Sequence, residues 1–130
     1  MRTFLFSLSL WCVLFSNSYA TDIIAQHVNS HQFSELIANK DSTVQIIDVR
    51  TLAEYKASHI KEAKLIDFYN KNFIDNISQL NKTDTYLLYC RSGNRSGKTL
   101  NIMKKIGFNK VYNLQGGVND WKKQGYSLVH

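Results

Sequence analysis

The chain has 130 residues, and its 16 Lys and Arg outnumber its ten Asp and Glu, so the formal net charge is +6. This length allows one compact domain with a single core and excludes two. A basic surface favours small anions and acidic partners, whereas nucleic acid is disfavoured here because the lysines are scattered along the chain.

The first twenty residues have the layout of a secretory signal peptide. Arg2 and the amino terminus supply positive charge, residues 3–15 are apolar, and Ser18 and Ala20 occupy the small-residue cleavage positions. The apolar run is too short for the roughly 20 residues of a membrane-spanning helix. We therefore predict a signal peptide at residues 1–20, a periplasmic or secreted protein beginning at Thr21, and no membrane association after cleavage. An uncleaved anchor or a buried first helix is the alternative.

Residues 21–130 contain no proline, repeat or low-complexity tract, and short apolar runs alternate with helix-like segments. β-branched and aromatic residues predict strands at 22–27, 44–49, 63–67, 86–90 and 110–114. Ser30 is the predicted cap of a helix with Phe33, Leu36 and Ile37 on one face. Apolar residues at helical spacing predict further helices at 70–80, 96–106 and 118–124. This alternation indicates an α/β fold: a central, mainly parallel five-stranded sheet with helices on both faces.

The number and position of the cysteines limit the roles that a thiol can have in this protein. Cys12 lies in the predicted signal peptide, and its removal leaves Cys90 as the single cysteine and a net charge of +5. Such a thiol is free, paired with another molecule, or buried and inert. Four histidines and this cysteine lie at scattered spacings, so we predict no metal site.

The segment YCRSGNRSGKTL, residues 89–100, raises two hypotheses. A nucleotide-binding loop has the pattern G-x-x-x-x-G-K-[ST], which requires a glycine at the position of Ser92. Gly93 lies one residue too late, and the next apolar strand ends in neutral residues rather than in an aspartate. The spacing therefore argues against nucleotide binding.

An activated thiol makes better use of the same residues. Cys90 lies at the carboxyl end of a predicted strand, which is where sites form in parallel sheets. Gly93 allows a positive φ, and the following helix directs its N-terminus at the cysteine. Arg91 and Arg95 add positive charge. All of these features favour thiolate over thiol, so we predict a reactive Cys90 in a cradle that holds anions.

Four motifs in order then resemble the rhodanese (thiosulfate sulfurtransferase) family. CRSGNRS at residues 90–96 resembles its active-site loop. The other three are IIDVR at 46–50, EYKASHIKEA at 54–63 and LQGGVNDW at 114–121. The resemblance spans nearly all of residues 21–130, which we predict to be one rhodanese domain. In this chain Ser58 and Glu62 replace two glycines of the family pattern, and no proline follows the strand at 63–67.

The resemblance implies a two-step sulfur transfer without a cofactor. Cys90 would take a sulfane sulfur from a small anionic donor such as thiosulfate and pass it, from a persulfide, to a thiol, cyanide or protein acceptor. The substrate would be bound by the loop that follows, and Asp48 and Arg50 would support the site by charge pairing. The expected substrate-binding residues are Arg91, Ser92, Gly93, Asn94, Arg95 and Ser96.

Several alternatives remain open at this point. Arg95 either binds substrate or braces the loop through backbone carbonyls, and Asp48 with Arg50 is alternatively an ordinary turn ion pair. His59 is expected to be structural, Gly116 and Gly117 to form a turn, and Trp121 to be a core anchor. Cys90 and Arg95 have the spacing C-x4-R, whereas the related phosphatases have C-x5-R, one residue more, to fit a larger phosphate. By that resemblance the loop of this chain is sized for sulfur. An arsenate reductase of the same fold is less favoured. Two other functions are compatible with the same fold: a sulfur carrier that does not turn over, and a redox partner that forms mixed disulfides.

Overall fold

The computed structural model describes residues 21–130, so the predicted signal peptide lies outside the described residues. Five strands and five helices alternate in this part of the chain. The strands are β1 (Ile24–Val28), β2 (Val44–Asp48), β3 (Lys64–Leu65), β4 (Thr85–Tyr89) and β5 (Lys110–Leu114). The helices are α1 (Ser30–Ala38), α2 (Leu52–Ala57), α3 (Phe73–Ser78), α4 (Asn94–Lys105) and α5 (Gly117–Lys123). None of the helices within residues 21–130 is long and apolar enough to cross a bilayer.

The strands form one sheet in the order β1-β5-β4-β2-β3, and all four pairings are parallel. The predicted parallel five-stranded α/β fold is therefore confirmed. Strand β4 is central, because Leu87 pairs with Ile46 of β2 on one side and with Tyr112 of β5 on the other. The carboxyl end of β4 thus lies between the ends of two neighbouring strands, where a loop has walls on both sides.

Helices cover both faces of the sheet, because successive side chains of β4 point to opposite faces and both sets are buried. Tyr86, Leu88 and Cys90 belong to one buried cluster, and Leu87 and Tyr89 belong to the other. Helices α3 and α4 pack on the first face through Phe73, Ile77, Leu100 and Met103. Helices α1 and α5 pack on the second through Phe33, Val118 and Trp121. The prediction that Trp121 is a core anchor fits this packing.

Several element boundaries differ from the sequence prediction. The cap of α1 is Asn29, not Ser30: the Asn29 side chain accepts from the Gln32 N–H at 2.9 Å, and Gln32 bonds back to the Asn29 N–H. Ser30 is the first helical residue, and its hydroxyl donates to Asp120 at 2.6 Å. Helix α3 is shorter than the predicted 70–80, and β3 has two residues rather than five.

Two further differences concern the functional end of the sheet. Helix α4 begins at Asn94, two residues earlier than predicted, so Asn94 and Arg95 belong to the helix rather than to a longer loop. Helix α2 was not predicted, because its six residues are too few to show an apolar period. It is capped by Thr51, which accepts from the Glu54 N–H while the Glu54 carboxylate accepts from the Thr51 N–H.

The two positions that depart from the family's glycines behave differently. Ser58 is extended, with φ −171°, a conformation open to any residue. Glu62 has φ +68°, the left-handed conformation that favours glycine. The exposed Glu62 carboxylate pairs with Lys40 at 3.0 Å. The backbone at residue 62 therefore keeps the shape of a glycine turn with a side chain that strains it.

Candidate functional site

Cys90 is the first residue after β4 and is a free thiol with 1% of its surface exposed. Its Sγ atom accepts three hydrogen bonds from the segment that follows. The Gly93 N–H lies 3.2 Å away, the Ser96 hydroxyl 3.2 Å and the Ser96 N–H 3.4 Å. The predicted cradle of N–H groups around the cysteine therefore exists in the structure, and Ser96 contributes a side-chain donor as well.

The loop takes this shape because of one glycine and one helix start. Gly93 caps α4 with φ +93°, a conformation that reverses the chain after only two residues beyond Cys90. The N–H groups of the first helical turn have no partner within the helix. Ser96 is the third residue of α4, so its N–H is one of these free donors and points back at Sγ.

This environment lowers the pKa of the Cys90 thiol. Burial acts in the opposite direction and raises it. Hydrogen bonds outweigh the burial: the Ser96 hydroxyl contributes most, followed by the N–H groups of Ser96, Ser92 and Gly93. Each of these donors stabilises the thiolate, so the buried sulfur is a stronger nucleophile at neutral pH than an ordinary cysteine.

The outer side of the loop is held by the start of α5. The Val118 N–H donates to the Cys90 carbonyl at 2.9 Å, and the Asn119 N–H donates to the Arg91 carbonyl at 3.1 Å. Peptide groups are planar and trans, so a carbonyl fixed outward turns the next N–H inward. Helix α5 thereby orients the N–H groups of Arg91 and Ser92 toward the inside of the loop.

Gly117 makes this close approach possible. A Cβ atom built at Gly117 would lie 2.5 Å from the Arg91 carbonyl oxygen and 2.6 Å from that of Cys90. Gly93 packs in the same way, with a Cβ position 3.1 Å from the Gly116 nitrogen. The sequence predicts only a turn at Gly116 and Gly117. The structure gives Gly117 a part in the site, and the paired glycines of LQGGVNDW were the available signal.

Arg95 is engaged by a carboxylate. Its two terminal nitrogens donate to the two Glu54 oxygens, each at 2.9 Å, and its guanidinium lies 5.6 Å from the centre of the Tyr69 ring. The pair lowers the pKa of Glu54 to about 2 and raises that of Arg95. The sequence leaves open whether Arg95 binds substrate or braces the loop through backbone carbonyls. The partner that the structure shows is a side chain of α2, a helix that the sequence did not predict.

Asp48 and Arg50 form a buried ion pair at the end of β2. Arg50 donates through Nη2 at 2.7 Å and through Nε at 3.0 and 3.1 Å to the Asp48 carboxylate. The same Nη2 donates to the Ser58 carbonyl at 2.6 Å. The guanidinium also lies 5.4 Å from the ring of Tyr89, the residue before Cys90. The pair ties the ends of β2 and β4 together without contacting the sulfur atom.

The remaining predicted residues occupy the surface or lie apart. The side chains of Arg91, Ser92 and Asn94 are exposed at the mouth of the loop, and their binding of substrate stays a prediction. His59 stacks on Tyr55 at 3.9 Å between ring centres, and its Nδ1 lies 2.9 Å from the Tyr55 carbonyl oxygen. These contacts agree with a structural role for His59. In residues 21–130 no group of three His, Cys, Asp or Glu side chains could hold a metal ion.

A parallel sheet whose central strand delivers a cysteine into a loop of N–H donors defines a class of α/β thiol domains. Comparison with known proteins places the chain within that class. Residues 30–124 match the rhodanese-like domain family, and the chain belongs to this family.

Related proteins cover the chain to different extents. It is 29% identical over 125 residues to thiosulfate sulfurtransferase 18 of Arabidopsis thaliana, covering 87% of this chain and 92% of that protein. It is 39% identical over 79 residues to the probable adenylyltransferase/sulfurtransferase MoeZ of Mycobacterium tuberculosis, covering 61% of this chain but only 20% of that protein's length. These relatives indicate sulfur transfer in general as the chemistry of the family.

Solved structures show the same fold. The crystal structure of a rhodanese-like domain protein from Staphylococcus aureus superposes with a TM-score of 0.67 and 28% identity, covering 81% of this chain and 99% of that chain. The fold of this chain is therefore similar to that of a solved rhodanese-like domain over most of both chains.

Proposed function

We propose that this protein is a sulfurtransferase that carries a sulfane sulfur as a persulfide on Cys90, from a donor such as thiosulfate to a thiol or cyanide. The observation that carries the proposal is the set of three donors on one buried Sγ atom, from Gly93 and Ser96. A thiolate held in this way is a nucleophile that needs no separate general base.

The first step is attack of the Cys90 thiolate on the outer sulfur of thiosulfate. A new S–S bond forms to Cys90, the S–S bond of thiosulfate breaks, and sulfite leaves with the electron pair. The persulfide now carries the negative charge on its terminal sulfur. The inward N–H groups of the loop are then available to stabilise that charge, in the manner of an oxyanion hole.

The second step returns the enzyme to its starting state. An acceptor thiolate or cyanide attacks the terminal sulfur, which leaves Cys90 as a thiolate and the acceptor as a persulfide or thiocyanate. No electrons are gained or lost overall, so the cycle needs no redox cofactor.

Arg91 is the main side chain that attracts the negatively charged sulfur donor. Arg95 is already neutralised by its two-point contact with Glu54. Arg91 is exposed at the loop and forms no ion pair within the described residues. We therefore assign attraction of the anionic donor and release of sulfite to Arg91 and the start of α4, and bracing of the loop to Arg95.

Loop size supports sulfur over phosphate as the transferred group. Four residues separate Cys90 from Arg95, and the loop closes on Sγ with donors at 3.2–3.4 Å. A single added sulfur atom requires less room than a tetrahedral phosphoryl group. The phosphatase and arsenate reductase alternatives would require a wider loop than this one.

A turnover assay tests the proposal. The purified protein is given thiosulfate and cyanide, and thiocyanate is measured over many equivalents of enzyme, with Cys90→Ser as the control. We expect continuous thiocyanate production that is lost in the variant. One equivalent of transfer followed by arrest would indicate a carrier that hands sulfur to a protein partner. Absence of any transfer, with hydrolysis of an aryl phosphate instead, would overturn the proposal.

We further propose that the protein is exported, on the basis of the pattern in residues 1–20 alone. The test is the intact mass of the protein expressed from the full chain and recovered from periplasmic and cytoplasmic fractions. Export predicts a mass that begins at Thr21 in the periplasmic fraction. A full-length mass confined to the cytoplasm would contradict it.

A further inference from the structure

Asn113, the next-to-last residue of β5, is a buried polar side chain with no assigned role, and 2% of its surface is exposed. Its amide nitrogen lies 2.9 Å from His27 Nδ1 on β1 and 3.4 Å from the Gly93 carbonyl oxygen. An amide nitrogen carries two hydrogens, so it donates to both. Asn113 therefore joins two strands to the start of α4.

The other half of the amide has no partner. Asn113 Oδ1 is the buried side-chain atom that lacks a hydrogen bond within residues 21–130. A buried acceptor without a donor destabilises a fold, and an apolar side chain at this position would avoid that cost. Packing alone thus does not explain an asparagine here. The two donor bonds of its nitrogen are what the residue adds.

The bond to Gly93 acts on the cysteine cradle. The Gly93 carbonyl is the first acceptor of α4 and also receives the Gly97 N–H at 2.9 Å. The N–H of the same Gly93 donates to Cys90 Sγ, and three residues later Ser96 supplies the other two donors. Fixing this carbonyl from β5 therefore fixes the start of α4 relative to the sulfur atom.

We propose that Asn113 is a positioning residue for Cys90: its amide holds the Gly93 carbonyl so that the donors of the loop and of α4 stay within reach of the thiolate. The inference deepens the proposed sulfur transfer, but it concerns the thiol itself. Thiol reactivity can be measured without any sulfur donor, so the inference and the proposed function can fail separately.

The test is the rate of alkylation of Cys90 by iodoacetamide as a function of pH, in the wild type and in Asn113→Leu. Leucine branches at the same carbon, and it removes both donor bonds and the unpaired oxygen. We expect an upward shift of the thiol pKa and a rate at neutral pH about threefold to tenfold lower, with a melting temperature close to that of the wild type. Asn101→Leu, the same change on the exposed face of α4, is the matched control and should leave the rate unchanged.

A second variant separates the two donor bonds. His27→Ala removes the imidazole but leaves the bond to Gly93, so its alkylation rate should lie closer to the wild type than that of Asn113→Leu. If Asn113→Leu does not fold, Asn113→Ser provides the same comparison with a hydroxyl too short to reach Gly93. A wild-type pH profile in the folded Asn113 variant would overturn the inference, as would equal losses in Asn101→Leu.

Discussion

The loop around Cys90 is held on two sides by different physical means. On the α5 side, two backbone N–H groups meet two loop carbonyls, and Gly117 leaves no room between them. On the α2 side, Glu54 and Arg95 form a charged pair whose side chains are 29% and 14% exposed. One side is neutral and closely packed, and the other is ionic and partly hydrated.

This difference determines what each side tolerates. A close contact between backbones depends on shape, so it should resist changes of salt and pH and be lost with one added methyl group. An ion pair near the surface depends on charge, so it should tolerate changes of side-chain size and weaken with salt and acid. Substitutions at the two sides should therefore respond differently to side-chain size, salt and pH.

Gly117→Ala should have the largest effect, because its Cβ would overlap the Arg91 and Cys90 carbonyls. We expect a loss of about 2–4 kcal/mol in the free energy of unfolding and a fall of more than tenfold in Cys90 alkylation. Gly125→Ala is the matched control, since Gly125 also has a positive φ (+86°) but has no atom within 4 Å of its Cβ position. Equal losses in the two variants would show that backbone strain, rather than contact with the loop, is responsible.

Ser96→Ala tests a hydrogen bond to the Cys90 sulfur that belongs to neither the α5 side nor the α2 side. It removes the hydroxyl donor 3.2 Å from Sγ and keeps the Ser96 N–H. We expect the thiol pKa to rise, so that less thiolate is present at neutral pH and alkylation slows about threefold to tenfold. Ser92→Ala, an exposed loop residue, should be close to the wild type. An unchanged profile in Ser96→Ala would show that the backbone donors alone set the thiol pKa.

Glu54→Gln tests the ionic side through pH and salt. The pKa of Glu54 is lowered from 4.5 to about 2 in the folded protein, so the pair stabilises the fold fully above about pH 4.5 and loses this effect as the pH falls toward 2. We expect the variant to be less stable than the wild type by about 1 kcal/mol at neutral pH and low salt, with the difference closing in acid and in high salt. Denaturant unfolding at several pH values measures this difference. Glu35→Gln, an exposed control, should show little dependence.

Glu62→Gly lies away from both sides and should have the smallest effect, with the opposite sign. Glycine relieves the φ of +68°, while the contact with Lys40 is lost. We expect a gain of up to about 1 kcal/mol in stability and no change in Cys90 alkylation. Glu62→Ala, which loses the ion pair but keeps the strain, should be slightly destabilised. A gain in Glu62→Ala would show that the strained backbone is not the cause.

The sequence predicted the parts of the fold that depend on local pattern. The strand at 110–114 matches β5, and the buried runs around Ile46 and Leu87 correctly indicated the central strands. Helix α2 was not predicted, because it is too brief to show a helical period. Strand β3 was predicted too long, because its two residues are defined by pairing to β2 rather than by composition.

The candidate site was predictable where it is local in sequence. The cradle from Cys90 to Ser96 follows from a strand end, a glycine and a helix start within seven residues. The residues that hold the cradle in place are distant in sequence: Glu54 lies 41 residues from Arg95, and Asn113 lies 20 residues from Gly93. Only the three-dimensional arrangement of α2, β5 and α5 reveals these partners.

The proposed function depends on Cys90 as the residue that carries the transferred sulfur. Its most direct test is the intact mass of the purified protein after thiosulfate treatment, with Cys90→Ser treated in parallel. We expect a gain of one sulfur atom in the wild type that cyanide or a thiol removes, and no gain in the variant. An unchanged mass in the wild type would contradict thiosulfate as the donor, and an equal gain in Cys90→Ser would contradict Cys90 as the residue that carries the sulfur.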